Sequence, residues 1–224
     1  MVDLPADWTA PPFPPRQALG GQWTRLEPLD LQRHGDDLAA AFRGAEAVWT
    51  WLPPLAPADD AGLRAIVADV AARPGILPYA VVERLSGRAG GFLTIMEIRP
   101  ADGVAEIGYV AFAPGLQRTR EATEAVFLLL RQLFAAGYRR VEWKCDNDNA
   151  PSRRAAGRFG FQYEGLFRQH MARKGRNRDT AWFAMLDHEW PACERMFAAW
   201  LAPENFDGAG RQRTSLRQGH PGAA

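Results

Sequence analysis

The stretch AEIGYVAFAPGLQRTREATEA, residues 105–125, is the most informative in this chain of 224 residues. Its apolar run Ala105–Phe112 predicts a β-strand, and a Pro-Gly turn ends that strand. A polar loop then leads directly into a predicted helix over Thr119–Ala136, which Gly137 closes. The helix is predicted from apolar residues at the spacing of one helical face, namely Ala122, Ala125, Val126, Leu129, Leu130 and Leu133.

The junction between this strand and this helix predicts an anion site. The backbone amides of Arg118–Ala122 would lie at the helix N-terminus, where unpaired N–H groups and the helix dipole favour a negative charge. Two arginines of the loop add positive charge. The alternative is an ordinary helix start, with Thr119 as the N-cap and Glu121 and Glu124 offsetting the dipole.

The rest of the chain alternates strand and helix signals and predicts one mixed α/β domain over residues 22–202. An extended arm with five prolines is expected over 1–21, and a disordered tail over 203–224. The predicted strands start at Gln22 and then cover 78–85, 90–98, 105–112, 140–145, 161–172 and 179–187. The predicted helices run from Asp30 to Arg43, from Asp60 to Arg73, and over 119–136, 151–159 and 190–201.

Composition excludes several classes of protein. Lys and Arg number 27 against 26 Asp and Glu, which gives no bulk reason to expect a nucleic-acid partner. The charge is uneven, since residues 1–112 carry 9 basic and 14 acidic side chains and 113–224 carry 18 and 12, which favours a local anionic ligand. Cys145 and Cys193 suggest neither a disulfide framework nor a metal site. With no signal peptide and no membrane-spanning stretch, a cytoplasmic protein is expected.

Four motifs in order resemble the GNAT superfamily of N-acetyltransferases, and within it the branch of ribosomal-protein N-terminal acetyltransferases. They are the QRTREA loop, the long helix after it, the run DNDNAPS at 146–152 and the run RFGFQYEG at 158–165. The resemblance covers roughly residues 22–190. It implies a central, mostly antiparallel twisted sheet of about seven strands, splayed between the fourth (105–112) and the fifth (140–145) and flanked by helices.

The resemblance also implies acetyl-CoA as co-substrate, with succinyl-CoA as an open alternative, and no metal. The family's loop pattern is Gln/Arg-x-x-Gly-x-Gly/Ala, whose amides bind the pyrophosphate. The coenzyme-binding residues implied here are Tyr109, Val110, Ala111, Gln117, Arg118, Thr119, Arg120, Glu121, Ala122, Thr123, Asn149 and Ser152.

Arg120 stands where the first glycine of that pattern is usual. Glycine lets a phosphate approach the backbone closely, whereas arginine carries a Cβ and a long side chain. Two interpretations stay open. Either the Arg120 side chain points outward and its amide still binds, or its guanidinium group replaces part of the contact.

The implied catalytic residues depart from the superfamily in two places. The tyrosine that many members use as the acid falls on Ala156, so Ser152 of the Asn-x-x-Ser pattern is the implied acid. A glutamate frequent in the branch falls on Met171, which cannot accept a proton. The remaining candidates for the base are Glu106, His170 and His34, and weak bases favour an acceptor amine of low pKa, such as a peptide α-amine.

The acceptor is predicted to be a primary amine of a small molecule or a protein N-terminus. Trp49, Trp51 and Arg168 are its candidate contacts, with core packing as the alternative for the two tryptophans. A homodimer through the tryptophan stretch or the last helix is a hypothesis. Two other functions remain open: a catalytically silent coenzyme A-binding module, and a basic domain that binds RNA or ribosomes through residues 168–178.

Overall fold

The computed structural model describes residues 8–216, which form one eight-stranded sheet with five α-helices. The strands are β1 (Leu19–Gly20), β2 (Thr24–Pro28), β3 (Leu77–Glu83), β4 (Ala89–Arg99), β5 (Val104–Phe112), β6 (Arg140–Asp146), β7 (Gln162–Arg173) and β8 (Arg176–Leu186). The helices are α1 (Leu31–Phe42), α2 (Asp60–Ala72), α3 (Arg120–Ala135), α4 (Ala150–Phe159) and α5 (Trp190–Leu201). Among these residues, no helix combines the length and apolar character of a membrane span.

The sheet splays between its two central strands. The strand order is β1-β2-β3-β4-β5-β6-β8-β7, and every neighbouring pair is antiparallel except β5 with β6. Those two strands pair in parallel from Val104 and Arg140 to Glu106 and Glu142, and then separate. The predicted splay between the fourth and fifth strands, here β5 and β6, is therefore confirmed.

A β-bulge lies in β5 directly after the point of separation. Thr94 of β4 pairs with Gly108, whereas Phe92 pairs with Ala111, so β5 carries one extra residue between these pairs. Tyr109, inside the bulge, has a φ of +48°, a conformation that bulky residues rarely adopt. The bulge turns the strand edge at the same level at which β6 leaves it.

Helices cover both faces of the sheet. α3 and α5 bury one face with Leu129, Leu133 and Phe197, while α1 and α2 bury the other with Leu38 and Val67. The stripe predicted for α3 is buried along its length, because its apolar residues recur on one helical face.

The structure shows more order at both ends of the domain than the sequence predicted. The expected sheet of about seven strands has eight, because two residues of the predicted arm, Leu19 and Gly20, pair with β2. The predicted disordered tail is wrong for residues 203–216: Phe206 packs edge-on against Trp200, and Leu216 is buried. Apolar side chains within a Gly- and Arg-rich segment anchor it, and residues 217–224 of the predicted tail lie outside the described residues.

Glu124 of α3 holds the start of β2 in place. Its buried carboxylate accepts hydrogen bonds of 2.7 Å from the backbone amides of Gln22, Trp23 and Thr24. Gly21 makes room for it, since a Cβ there would lie 2.4 Å from the carboxylate carbon. The charge of Glu124 is thus compensated inside the fold and does not oppose an anion at the helix N-terminus.

We expect Glu124→Ala to lower the free energy of unfolding by about 3 kcal/mol, because three backbone amides, that of buried Thr24 among them, lose their acceptor. Glu124→Gln, which keeps the shape and one oxygen, should lose less. Denaturant unfolding of both variants measures the difference. A loss below about 1 kcal/mol for the alanine variant would contradict this role.

Candidate functional site

The first turn of α3 presents free amides. Thr119 is the N-cap, and its hydroxyl accepts a hydrogen bond of 3.1 Å from the amide of Ala122. Within residues 8–216, the amides of Arg118, Thr119, Arg120 and Glu121 have no hydrogen-bond acceptor. Arg118 has a φ of +62°, and this left-handed residue bends the loop into the helix. Four neighbouring donors at a helix N-terminus suit a phosphate group.

The Arg120 side chain is engaged elsewhere in the fold. Its guanidinium carbon lies 3.7 Å from the ring centre of Trp23 and 5.3 Å from that of Phe206, and its Nε donates to Glu121 at 3.0 Å. Of the two interpretations of this departure from glycine, the arrangement favours the first: the side chain packs against aromatic rings, and the amide stays free.

Arg158 of α4 is a cation that the sequence reasoning missed. Its guanidinium group donates to the hydroxyl of Thr123 at 3.0 Å and lies 4.7 Å from the ring centre of Trp200. Among the described residues, no carboxylate lies within 4.0 Å of it, and burial lowers the pKa of Arg158. Thr123 lies one helical turn after the free amides. The half-buried guanidinium group of Arg158 therefore adds positive potential next to them. The sequence signal for Arg158 was its place as the first residue of the RFGFQYEG run at 158–165.

Asn149 and Ser152 both lie at the start of α4, as predicted for a helix entry. The Asn149 side chain caps the helix by accepting from the amide of Ser152 at 3.1 Å. The Ser152 hydroxyl oxygen accepts a hydrogen bond of 3.0 Å from the indole Nε1 of Trp143. Because the indole only donates, this bond does not use the Ser152 proton, and the Cys145 thiol lies near the same hydroxyl.

Glu106 lies on β5 at the last pair before the strands separate. Its carboxylate is buried and forms an ion pair of 2.7 Å with Nζ of Lys144 on β6. Burial raises the pKa of Glu106 to about 7, Lys144 opposes that rise, and Glu142 and Glu97 add to it. A carboxyl group that titrates near neutral pH suits general-base chemistry.

The two histidine candidates lie in different environments. His170 on β7 shares a hydrogen bond of 2.9 Å between Nδ1 and the Thr180 hydroxyl, on the edge of the sheet beyond β8. His34 is buried on α1, with Nε2 3.1 Å from a carboxylate oxygen of Glu27. His34 is paired with Glu27 of β2, which β3 and β4 separate from β5, so the structure does not place its imidazole beside Glu106.

The candidate acceptor contacts are not all accessible. Trp49 lies in a 3-10 helix over Glu46–Thr50, and only 1% of it is exposed, so its prediction as a surface contact is wrong. Its ring packs 5.4 Å from that of Phe42, and its carbonyl accepts a hydrogen bond of 2.6 Å from Lys174. Trp51 remains 39% exposed, and Arg168 is exposed on β7.

The β7–β8 hairpin reaches across to that 3-10 helix. Lys174, at the hairpin tip with a φ of +51°, makes the contact with the Trp49 carbonyl. This contact places the basic hairpin on the α1–α2 side of the sheet, the side that Glu106 faces. In the sequence, Lys174 was one of several basic residues in 168–178, and no pattern predicted its hydrogen bond to the Trp49 carbonyl.

Comparison with known proteins identifies relatives of the whole domain. Residues 24–162 match the family model of the acetyltransferase (GNAT) domain. A GCN5-related N-acetyltransferase from Brucella melitensis is 49% identical, with a TM-score of 0.91 over 94% of this chain and 96% of that one. A protein described as a probable acetyltransferase of the GNAT family, from Chromobacterium violaceum, is 45% identical, with a TM-score of 0.80 over 86% and 97%.

A more distant structure shares the fold. RimJ from Mycobacterium smegmatis, in complex with CoA-disulfide, is 24% identical, with a TM-score of 0.65 over 82% of this chain and 95% of that one. A comparison with curated proteins finds no match.

We expect Arg120→Pro to raise the acetyl-CoA dissociation constant at least about tenfold, because it removes one of the free amides predicted to bind the pyrophosphate. Proline is tolerated at this first helical position, and Thr119 before it is already extended, with a φ of −92° and a ψ of 168°. Arg120→Ala is the matched control, since it removes the side chain and keeps the amide. Titration calorimetry measures both.

Wild-type affinity in both variants would exclude the Arg120 amide as a contact. An alanine variant as weak as the proline variant would instead assign the contact to the guanidinium group.

Proposed function

The chain belongs to the GNAT acetyltransferase family, and we propose that it moves an acetyl group from acetyl-CoA to a peptide α-amine by direct transfer in a ternary complex. The observation that carries this proposal is the geometry of β5. One strand brings together the splay, the bulge and Glu106, and its loop continues into the free amides of α3. The transfer needs a gap for the thioester, amide donors for the phosphates of the coenzyme and a base for the attacking amine.

The coenzyme fits the side of the sheet covered by α3, α4 and α5. The amides of residues 118–121 would hold the pyrophosphate, with Arg158 beside them. The edge of β5 beyond Glu106 has unpaired backbone groups facing the gap, and these suit the pantetheine arm and the carbonyl oxygen. Acetyl-CoA supplies a thioester that is already activated, so the protein needs no covalent nucleophile.

Cysteine chemistry is not part of the proposal. Cys145 is buried on β6, and burial raises the pKa of its thiol. A buried neutral thiol is a poor nucleophile. Direct transfer to the amine is therefore the simpler route.

Glu106 is the proposed base. Its neighbours in the strand, Ala105 and Ile107, pack into the cluster under α3, so Glu106 faces the opposite side of the sheet, the side on which α1 and α2 pack. An amine that approaches from that side reaches a carboxylate that is partly ionised at pH 7. Because only 6% of Glu106 is exposed, we propose that the proton travels through a water molecule.

Ser152 is the proposed proton donor to the leaving thiolate. Trp143 fixes its oxygen from one side and leaves its proton free. Trp143 packs into the cluster under α3, so Ser152 lies on the coenzyme side of the sheet and Glu106 on the acceptor side. Tyr109, whose pKa burial raises to about 12, keeps its proton at neutral pH and contributes its backbone to the bulge.

A peptide α-amine is the favoured acceptor. At pH 7, about a tenth of α-amines are neutral, against fewer than about one lysine side chain in a thousand. A single base with a pKa near 7 is matched to the former. Exposed Trp51 and the basic hairpin residue Arg168 remain the proposed contacts for the peptide beyond its first residue.

We expect wild-type protein with acetyl-CoA to release free thiol in the presence of short peptides with a free N-terminus. The same peptides with a blocked N-terminus and an internal lysine are the matched control and should react far more slowly. Succinyl-CoA in parallel tests the acyl group. Mass spectrometry of the peptide confirms the acetylated atom.

Binding of acetyl-CoA without turnover on any peptide or small amine would contradict the proposal and favour a silent coenzyme-binding module. Ala156 and Met171, which replace a proton donor and a carboxylate of the resembled pattern, make this the alternative to exclude. RNA binding that falls steeply with salt would support the third hypothesis.

We expect Ser152→Ala to lower kcat about 10²-fold with little change in acetyl-CoA affinity, because a proton donor is lost while the Asn149 cap remains. The cap survives since it uses the backbone amide of residue 152. Trp143→Phe, which removes only the indole donor, should have a smaller effect. An unchanged kcat for Ser152→Ala would remove this residue from the mechanism.

A further inference from the structure

One carboxylate oxygen of Glu106 is held by an ion pair, and the other has no hydrogen-bond or ion-pair partner within residues 8–216. Its Oε2 forms the ion pair of 2.7 Å with Nζ of Lys144. Its Oε1 lies over Gly108, where the Cβ of any larger residue would come within 3.0 Å of it. Gly108 directly precedes the bulge, so this oxygen is directed along β5 toward the bulge.

Lys144 is itself fixed in place. Its neighbours Trp143 and Cys145 pack on the α3 side, so Lys144 projects to the same side as Glu106. Its ammonium nitrogen lies 4.2 Å from the ring centre of Trp182 on β8, and 14% of the side chain is exposed. A carboxylate on one side and an aromatic face on the other leave the ammonium group few positions.

The other charges around Glu106 do not duplicate this cation. Glu142 of β6 lies 3.5 Å from Lys144, but its carboxylate is shared by Arg99 at 3.2 Å and Arg140 at 3.1 Å. Glu97 of β4 adds a second negative charge near Glu106. Among residues 8–216, Lys144 is the one cation that contacts the Glu106 carboxylate.

We propose that Lys144 is a positioning residue for the transfer reaction, which favours the ionised form of Glu106 and directs its other oxygen toward the bulge. The inference rests on the proposed role of Glu106 as base. It assigns to β6, across the splay, a direct part in preparing the base on β5. Lys144 acts through Glu106 and needs no contact with either substrate.

The test is a titration of Glu106 by carbon NMR on protein with labelled glutamate carboxyl groups. The signal is assigned by its loss in Glu106→Gln. In the wild type the midpoint is expected at about pH 7. Lys144→Met should move it upward by about one pH unit or more, since an opposite charge in contact is lost, while Lys144→Arg should stay near the wild type.

The same variants are compared in kcat/KM against pH, with the best peptide from the acceptor panel. Ionisation of the peptide amine contributes equally to every profile, so differences report the protein. The acidic limb of Lys144→Met should move upward with its NMR midpoint, and Lys144→Arg should restore it. Acetyl-CoA affinity, measured by calorimetry, should not change.

An unmoved NMR midpoint in Lys144→Met would overturn the inference. If that variant does not fold, Lys144→Gln, which keeps a donor without the charge, takes its place with the same expected upward shift and the same contrary outcome. The proposed function fails separately: wild-type protein that acetylates no amine, or Glu106→Gln with unchanged turnover, contradicts the role of Glu106 whatever the titration shows.

Discussion

The separation of β5 from β6 after three residue pairs is the constraint on which the site depends. Parallel strands in a sheet normally continue side by side, because each unpaired backbone group buried in a core costs free energy. Here the β4–β5 bulge diverts one strand, and the β8 ladder along the whole of β6 holds the other. The gap that results is lined by backbone donors and acceptors that a bound molecule can satisfy.

The bulge also changes which face each side chain of β5 occupies. Before it, Ala105 and Ile107 pack under α3, whereas after it Tyr109 and Ala111 pack under α1 and α2. Because side chains alternate along a strand, one extra residue reverses the alternation. Glu106 precedes the bulge, so its side chain lies on the face opposite Ala105 and Ile107, and Gly108 leaves space for its carboxylate. Without the bulge, Ala111 would lie on the same face as Ala105 and Ile107.

Local sequence patterns predicted the helices and strands well, but they could not predict contacts between residues distant in sequence. The α3 stripe, the Thr119 and Asn149 caps and the splay implied by family resemblance are all present. The sequence left open whether Trp49 is a surface contact or a core residue, because the ring that buries it, Phe42, belongs to α1 and not to the proline-rich stretch. The ordered residues 203–216 were missed because their composition resembles a tail. They are anchored by Phe206, which packs against nearby Trp200 and against Trp23, a residue distant in sequence.

Those distant contacts explain how the chain tolerates arginine where glycine is usual. Arg120 has a stack of aromatic rings to occupy, built from Trp23 before β2 and Phe206 after α5, and Glu124 of the same helix holds the segment that carries Trp23. A side chain drawn into such a stack leaves its own amide open, so the approach that glycine provides by lacking a Cβ is achieved by directing the side chain away. Trp23 and Phe206, from segments far apart in the sequence, thereby fix the side chain of the first residue of α3.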